Sequence, residues 1–286
     1  MVFQSAGLFG RYGDSKVKET ILSIKYFLEN RGLEVFLGDT TSSEIRGIRV
    51  EESGQSFPET IDVGIVVGGD GTMLHVARTV ANQKLPLIGI NLGRLGFLTD
   101  IPADSMKDKL DEILDGNFLI EKRTMLDANV TLDGRLVRKC TALNDIFVSK
   151  GDAGKMIEFE TKIDNLLVAR TRSDGIIVAT PTGSTAYALS AGGPILHPSS
   201  SAIVFTPICP HTLGQRPLVL DDNCKIDIAM LDLSGASANF FVDGLRILSI
   251  ENNEHIKIQR SDKVARLVRS SAHNHYDTLS SKLGWG

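Results

Sequence analysis

A near-continuous apolar run, Val63–Val67, leads directly into Gly68-Gly69-Asp70-Gly71-Thr72. Met73, Val76, Ala77, Val80 and Ala81 then repeat at helical spacing. A strand without polar alternation is one buried on both faces, the mark of a parallel sheet covered by helices. Glycines between strand and helix let the backbone turn tightly. This strand–turn–helix unit limits the first part of the chain to an α/β layer, and its neighbours agree. Asp14 can cap a helix whose Val17, Ile21, Ile24 and Leu28 share one face, with Gly32 as its stop. Residues 33–37 and 85–90 read as further strands, and residues 104–114 as an amphipathic helix closed by Gly116. The polar stretch 40–59 reads as a long surface excursion.

The pattern changes near Lys122. Residues 127–132 and 136–141 flank Asp133-Gly134, a pair suited to the positive φ values of a type I′ turn. Asp164-Asn165 marks a second hairpin, and short strand signals follow at 176–179, 202–205, 225–230, 240–242 and 256–259. Helix signals are nearly absent there. We therefore expect an α/β N-terminal domain (1–122) and an all-β C-terminal domain (123–261). The tail, 262–286, carries Val264, Leu267, Val268, Leu279, Leu283 and Trp285. Such apolar residues favour packing back on the N-terminal domain.

At 286 residues the chain is long enough for two domains. The formal net charge of −4 gives no reason to expect nucleic-acid binding. No apolar run is long enough for a membrane helix, so the expectation is a cytoplasmic protein with no membrane partner. Cys140, Cys209 and Cys224 form no CxxC pair, so neither a disulfide framework nor a zinc site is expected.

Two motifs carry chemistry. In the first, Gly68, Gly69 and Thr72 surround Asp70 and Gly71 where strand gives way to helix. The free N–H groups and positive dipole end of a helix suit phosphate, and Thr72 is a candidate cap for that helix. The loop lacks the Lys-Ser/Thr of a P-loop and is not a GxGxxG fingerprint. A carboxylate beside phosphate repels the ligand unless it holds a metal, orients a hydroxyl or removes a proton. The second motif runs from Asp174 to Pro194. Its strand ends in Thr180-Pro181-Thr182-Gly183-Ser184-Thr185-Ala186-Tyr187-Ala188-Leu189-Ser190. Hydroxyls and amides at a strand end suit ribose and phosphate, and Tyr187 adds a ring for stacking. Asn144-Asp145 can read a ribose diol or an adenine edge, or can be turn chemistry. Lys155, Arg170 and Arg172 are cations near the second motif. Asp243-Gly244 reads as a hairpin turn.

With these motifs in order, the sequence resembles the NAD kinase family. The matching segments are GGDGT (68–72), NLGRLGFLT (91–99), LND (143–145), DGIIVATPTGSTAYALSAGGPILHP (174–198) and VDG (242–244). GGDGT alone is shared with diacylglycerol, sphingosine and phosphofructokinase-type kinases; the GSTAY block with LND is far more specific. The resemblance implies a two-domain fold with the active site between the domains, and transfer of a phosphoryl group from ATP or polyphosphate to the 2′-hydroxyl of NAD. It implies Asp70 as general base, Gly71 beside the phosphates, and Gly68, Gly69 and Thr72 in the donor loop. It places Asn144 and Asp145 on the adenosine half and Asp174 near the nicotinamide half. Thr185, Ala186, Tyr187, Ala188, Leu189 and Ser190 would line the cleft, with Lys155 and Arg172 at its edge and His75 as a further contact. A divalent cation, magnesium, would assist, and the subunits would form a homodimer or homotetramer. Leu245 departs from the Gln that many members carry and is left out of the site.

Overall fold

In the computed structural model, which describes residues 2–11, 14–39, 48–49, 61–93, 95–151, 155–233 and 237–285, the chain divides into two units. One comprises residues 1–122 and 265–286, the other residues 123–264.

The first unit begins with β1 (Ser5–Gly10), α1 (Ser15–Asn30), β2 (Glu34–Asp39), β3 (Ile48–Arg49) and β4 (Val63–Val67). It continues with α2 (Asp70–Val80), β5 (Pro86–Asn91), β6 (Ile101–Pro102), α3 (Met106–Leu114) and the start of β7 (Phe118–Leu132). Parallel pairing gives the order β3-β2-β1-β4-β5, with β6 also on β5. Asp14 caps α1 by accepting from the Lys16 N–H at 2.9 Å, and Val17, Ile21, Ile24 and Leu28 are buried against the sheet. Each such aliphatic side chain stabilises by about 1.5–3 kcal/mol relative to exposure. β1 is a central strand that the sequence pattern does not announce, because Ser5, Gly7 and Gly10 dilute its apolar signal. Gly10 is required by packing: a Cβ there would stand 2.7 Å from both Ile21 and Val17 of α1. The excursion expected over 40–59 lies outside the described residues apart from β3.

The second unit contains the rest of β7, then β8 (Arg135–Ala142), β9 (Asp145–Lys150), β10 (Ile157–Ile163), β11 (Leu166–Ser173) and β12 (Gly175–Ala179). After a 3-10 turn (Gly183–Thr185) come α4 (Tyr187–Ser190), β13 (Ala202–Ile208), β14 (Leu218–Asp221), β15 (Ile226–Asp232), β16 (Ala238–Val242), β17 (Leu245–Ile250) and β18 (Glu254–Ser270). One antiparallel sheet has the order β14-β13-β12-β9-β16-β17; a second joins β11, β10, β15 and β18. Between them lies one core, with Ile146, Val148, Ile176, Val178 and Phe240 from the first and Phe159, Ile226, Ile228, Ile256 and Ile258 from the second. β12 is buried on its other face too, where Ile177 and Ala179 pack with Phe147 and Ala188. Its unbroken apolar run follows from this double burial.

Positive φ values at Asp133/Gly134, Asp164/Asn165 and Asp243/Gly244 make all three hairpin turns of the type their sequences favour. The α/β-plus-all-β architecture expected from sequence is the one observed. The tail crosses back within β18, whose end pairs with β5 in parallel, and closes in α5 (His275–Leu283). Leu267, Val268 and Leu279 are buried as expected, whereas Trp285 is 54% exposed.

Candidate active site

Asp70 is the first residue of α2, and its carboxylate faces away from that helix. Oδ1 accepts from the Leu98 N–H at 3.1 Å, the Thr99 N–H at 3.0 Å and the Thr99 hydroxyl at 3.1 Å; Oδ2 accepts from the Phe97 N–H at 2.8 Å. A carboxylate offers about four lone-pair sites, two per oxygen. Oδ1 is therefore saturated, and Oδ2 keeps capacity for one further donor. The loop that supplies these amides comes close because residue 96 is glycine: a Cβ there would lie 1.8 Å from Oδ1.

The glycines of the first motif differ in what they serve. Gly68 has φ +154°, and a Cβ there would meet the Thr72 hydroxyl at 2.7 Å. Around Gly69 and Gly71 a Cβ would meet nothing within 4 Å. The helix N-cap is Gly69, with no side-chain cap; the Thr72 N–H donates back to Gly69 O at 3.0 Å, which leaves the N–H groups of Asp70 and Gly71 as the first-turn donors without an intrahelical acceptor. This corrects the expectation for Thr72: α2 starts two residues before it, and Thr72 sits inside the first turn rather than capping it. His75, one turn further along, is half-buried.

In the second unit the Asn144-Asp145 turn is held from three sides. The Asp243 carboxylate accepts from the N–H groups of Leu143 (3.1 Å), Asn144 (2.7 Å) and Asp145 (3.1 Å). The Thr180 hydroxyl donates to Leu143 O at 2.6 Å, and the Thr180 N–H donates to Asn144 O at 2.8 Å. Gly183 packs so closely that a Cβ would fall 2.0 Å from Asn144 O. The turn is thereby rigid, yet Asn144 Oδ1 is buried and without a hydrogen-bond partner, the condition of a group built to meet something else. Burial, helped by the charge of Asp243, pushes the Asp145 carboxyl up to about 7. Three backbone N–H groups point at the Asp243 carboxylate, while Asp145 is held in the buried surroundings that favour its neutral form.

The sign of the pH effect follows. Asp145 titrates near 3.8 in its ordinary state and near 7 when folded. Its contribution to stability is present below 3.8 and is lost as pH rises to about 7. Asp145→Asn is neutral throughout. Its melting temperature is expected to gain on the wild type between pH 5 and pH 8, by more than the 2–4 °C that about 1 kcal/mol brings to a domain of this size. Calorimetry at the two pH values checks this; a pH-independent difference would contradict it.

Of the 185–190 segment, Tyr187 is the exposed aromatic, at 39%, and its ring meets Phe147 edge-on at 5.0 Å. Burial first, then Cys209, Asp174 and Asp145, raise its phenol above the usual range. Thr185, Ala186 and Leu189 are half-buried and Ser190 is exposed. Ala188 is fully buried in the core beside β12, where its side chain packs. Asp174 pairs with Lys150 at 2.7 Å, a partner the sequence reading missed. Arg172 and Lys155 are exposed. Leu245 is exposed at the β16–β17 turn. Among the described residues no three His, Cys, Asp or Glu side chains converge as a metal cage. No helix there is long and apolar enough to cross a membrane.

A glycine-hinged carboxylate at a helix N-terminus, on a chain that also carries a rigid polar turn with a spare carboxamide, defines a phosphotransferase of the two-unit kind. Residues 15–118 match the ATP-NAD kinase N-terminal domain, and residues 143–270 match the ATP-NAD kinase C-terminal domain. The NAD kinase of Azoarcus sp. (strain BH72) is 44% identical over 285 residues, 99% of this chain and 96% of that protein. That of Pseudomonas entomophila (strain L48) is 42% identical over 285 residues, 99% and 96% of the two chains. Yeast NADH kinase complexed with NADH superposes with a TM-score of 0.85 at 26% identity, covering 100% of this chain and 89% of that one. An NAD kinase from Archaeoglobus fulgidus in complex with ATP gives 0.74 at 28% identity, covering 98% of both. The chain belongs to the ATP-NAD kinase family.

Proposed function

We propose that the chain transfers the γ-phosphoryl group of ATP to the 2′-hydroxyl of the adenosine ribose of NAD, forming NADP, with Asp70 as general base. The observation that carries this reading is the unequal loading of its carboxylate: Oδ1 accepts three donors and Oδ2 one. Oδ2 takes the ribose proton as the 2′-oxygen attacks phosphorus; the new O–P bond forms, the bond to the β-phosphate oxygen breaks, and ADP leaves. A ribose hydroxyl is a poor nucleophile at neutral pH, so a base in hydrogen-bond reach matters. The remaining catalysis is positioning and charge stabilisation of the transferring group. The uncapped first turn of α2 and the open space at Gly69 and Gly71 suit phosphate oxygens.

In the second unit, Asn144 Oδ1 and Asp145 would meet the adenosine half of NAD, Asp174 the nicotinamide half, and Tyr187 a base face. A divalent cation, when bound with the donor, would neutralise phosphate charge.

Gly71→Ala separates the proposal from a purely structural loop. A Cβ there finds open space, so folding is expected to be unchanged, while KM for ATP rises. Unaltered ATP kinetics would count against a phosphate at this position. The reaction itself is tested by a matrix of ATP or polyphosphate against NAD, NADH or diacylglycerol, with and without magnesium. NADP formed from NAD and ATP supports the reading. Diacylglycerol phosphorylation would replace it with a lipid kinase, and NAD binding without NADP formation would leave an NAD-sensing protein.

A further inference from the structure

Arg269 lies near the end of β18 and is 1% exposed, the largest fully buried side chain among the described residues. Its Nη2 donates to Phe97 O at 2.9 Å and its Nη1 to Leu98 O at 3.1 Å. These two carbonyls belong to the same peptide units whose N–H groups, those of Leu98 and Thr99, donate to Asp70 Oδ1. Each of the two peptides is thus held between a guanidinium on its oxygen and a carboxylate on its nitrogen. We propose that Arg269 is a positioning residue for Asp70, acting through these two peptide units; the proposal rests on the reading of Asp70 as general base.

Three features make the arrangement more than packing. A guanidinium is a planar fork, and its two prongs match two successive carbonyls, which the single point charge of an ammonium cannot do. A cation on each C=O polarises the peptide and strengthens its N–H as a donor to Asp70. The fork is itself fixed: Nε donates to Glu121 at 3.2 Å, and Nη1 stands 2.7 Å from Asp100 as an ion-pair contact rather than an aligned hydrogen bond. His273 lies 3.2 Å from the other Asp100 oxygen. Burial works against the charge of Asp100, but the His273 hydrogen bond and the Arg269 charge outweigh it and hold the carboxyl below its usual range. The consequence for chemistry is the choice of oxygen. With Oδ1 saturated through Arg269's two peptides, Oδ2 is the atom left to receive a proton.

The test compares Arg269→Lys with Glu121→Gln, a change in the same ion-pair cluster that leaves both carbonyl contacts in place. Turnover is expressed per folded molecule, and NAD affinity is measured by calorimetry. Arg269→Lys is expected to lower kcat by about 10–100-fold, the scale of a misplaced catalytic group, with KM and Kd for NAD little changed. Glu121→Gln is expected to keep wild-type kcat. In an Asp70→Asn background Arg269→Lys should cause no further loss, because the two act on one step. Wild-type kcat in Arg269→Lys, equal losses in Arg269→Lys and Glu121→Gln, or an undiminished effect in the Asp70→Asn background would each overturn the proposal. Should Arg269→Lys fail to fold, Arg269→Gln combined with Glu121→Gln keeps one carbonyl donor with a balanced charge. The same kcat loss is expected there, and a wild-type kcat would overturn the proposal. Normal turnover in Asp70→Asn alone would instead remove the general-base reading itself.

Discussion

Asp70→Asn is expected to lower the turnover of NADP formation by about 10²–10⁴-fold, the range that follows loss of a general base. The substitution is not silent in the free protein. With its oxygen in place of Oδ1, the carboxamide keeps the Leu98, Thr99 N–H and Thr99 hydroxyl donors, but its Nδ2 then faces the Phe97 N–H, donor against donor. One unpaired amide costs about 1–3 kcal/mol, so some stability is lost as well. The measurement therefore needs kcat per folded molecule, from coupled NADP detection, together with NAD affinity. A base predicts a collapse of kcat with NAD still bound. A carboxylate that only ties the 97–99 loop to α2 predicts a lower melting temperature and near-normal turnover of the molecules that remain folded.

Gly96→Ala reaches the same carboxylate without removing it. The added Cβ would stand 1.8 Å from Oδ1, 2.5 Å from Cγ and 2.8 Å from Oδ2 of Asp70, so either the carboxylate or the loop must move. Overpacking of this kind costs about 1–3 kcal/mol. A displacement of the base by about 1 Å costs about 10²-fold in rate, and a kcat loss of that order is expected. The glycine has no positive φ to protect, so the cost is contact and not backbone strain. Steady-state kinetics at a temperature well below the melting point decide the matter. A variant with wild-type kcat would show that the exact seat of Asp70 is unimportant.

What could be read from sequence was what is encoded locally. The strand Val63–Val67, the glycine hinge after it and the face of α1 all rest on residues within a few positions of one another. The three type I′ turns rest on adjacent pairs such as Asp133-Gly134. What escaped rests on partners far apart in the chain. Asp70 meets donors 27 to 29 residues away, Asp243 meets amides 98 to 100 away, and Arg269 reaches carbonyls 171 and 172 away. Nothing near Asp243 distinguishes a hairpin turn from a residue that also organises the Asn144-Asp145 turn; it does both. β1 escaped because its Gly10 serves the packing of α1, and a small residue packed against a neighbour looks in sequence like a turn. Ala188 lies within a polar motif, although its side chain completes the core. Gly96 was the available clue to the Asp70 nest, since a glycine within an apolar loop marks close approach.

The most direct test is a crystal structure with NAD and a non-transferable ATP analogue bound. Asp70 Oδ2 is expected within about 2.6–3.2 Å of the ribose 2′-oxygen, with Oδ1 still held by Leu98 and Thr99. A 2′-hydroxyl with no hydrogen bond to Asp70, direct or through one water, would contradict the assignment.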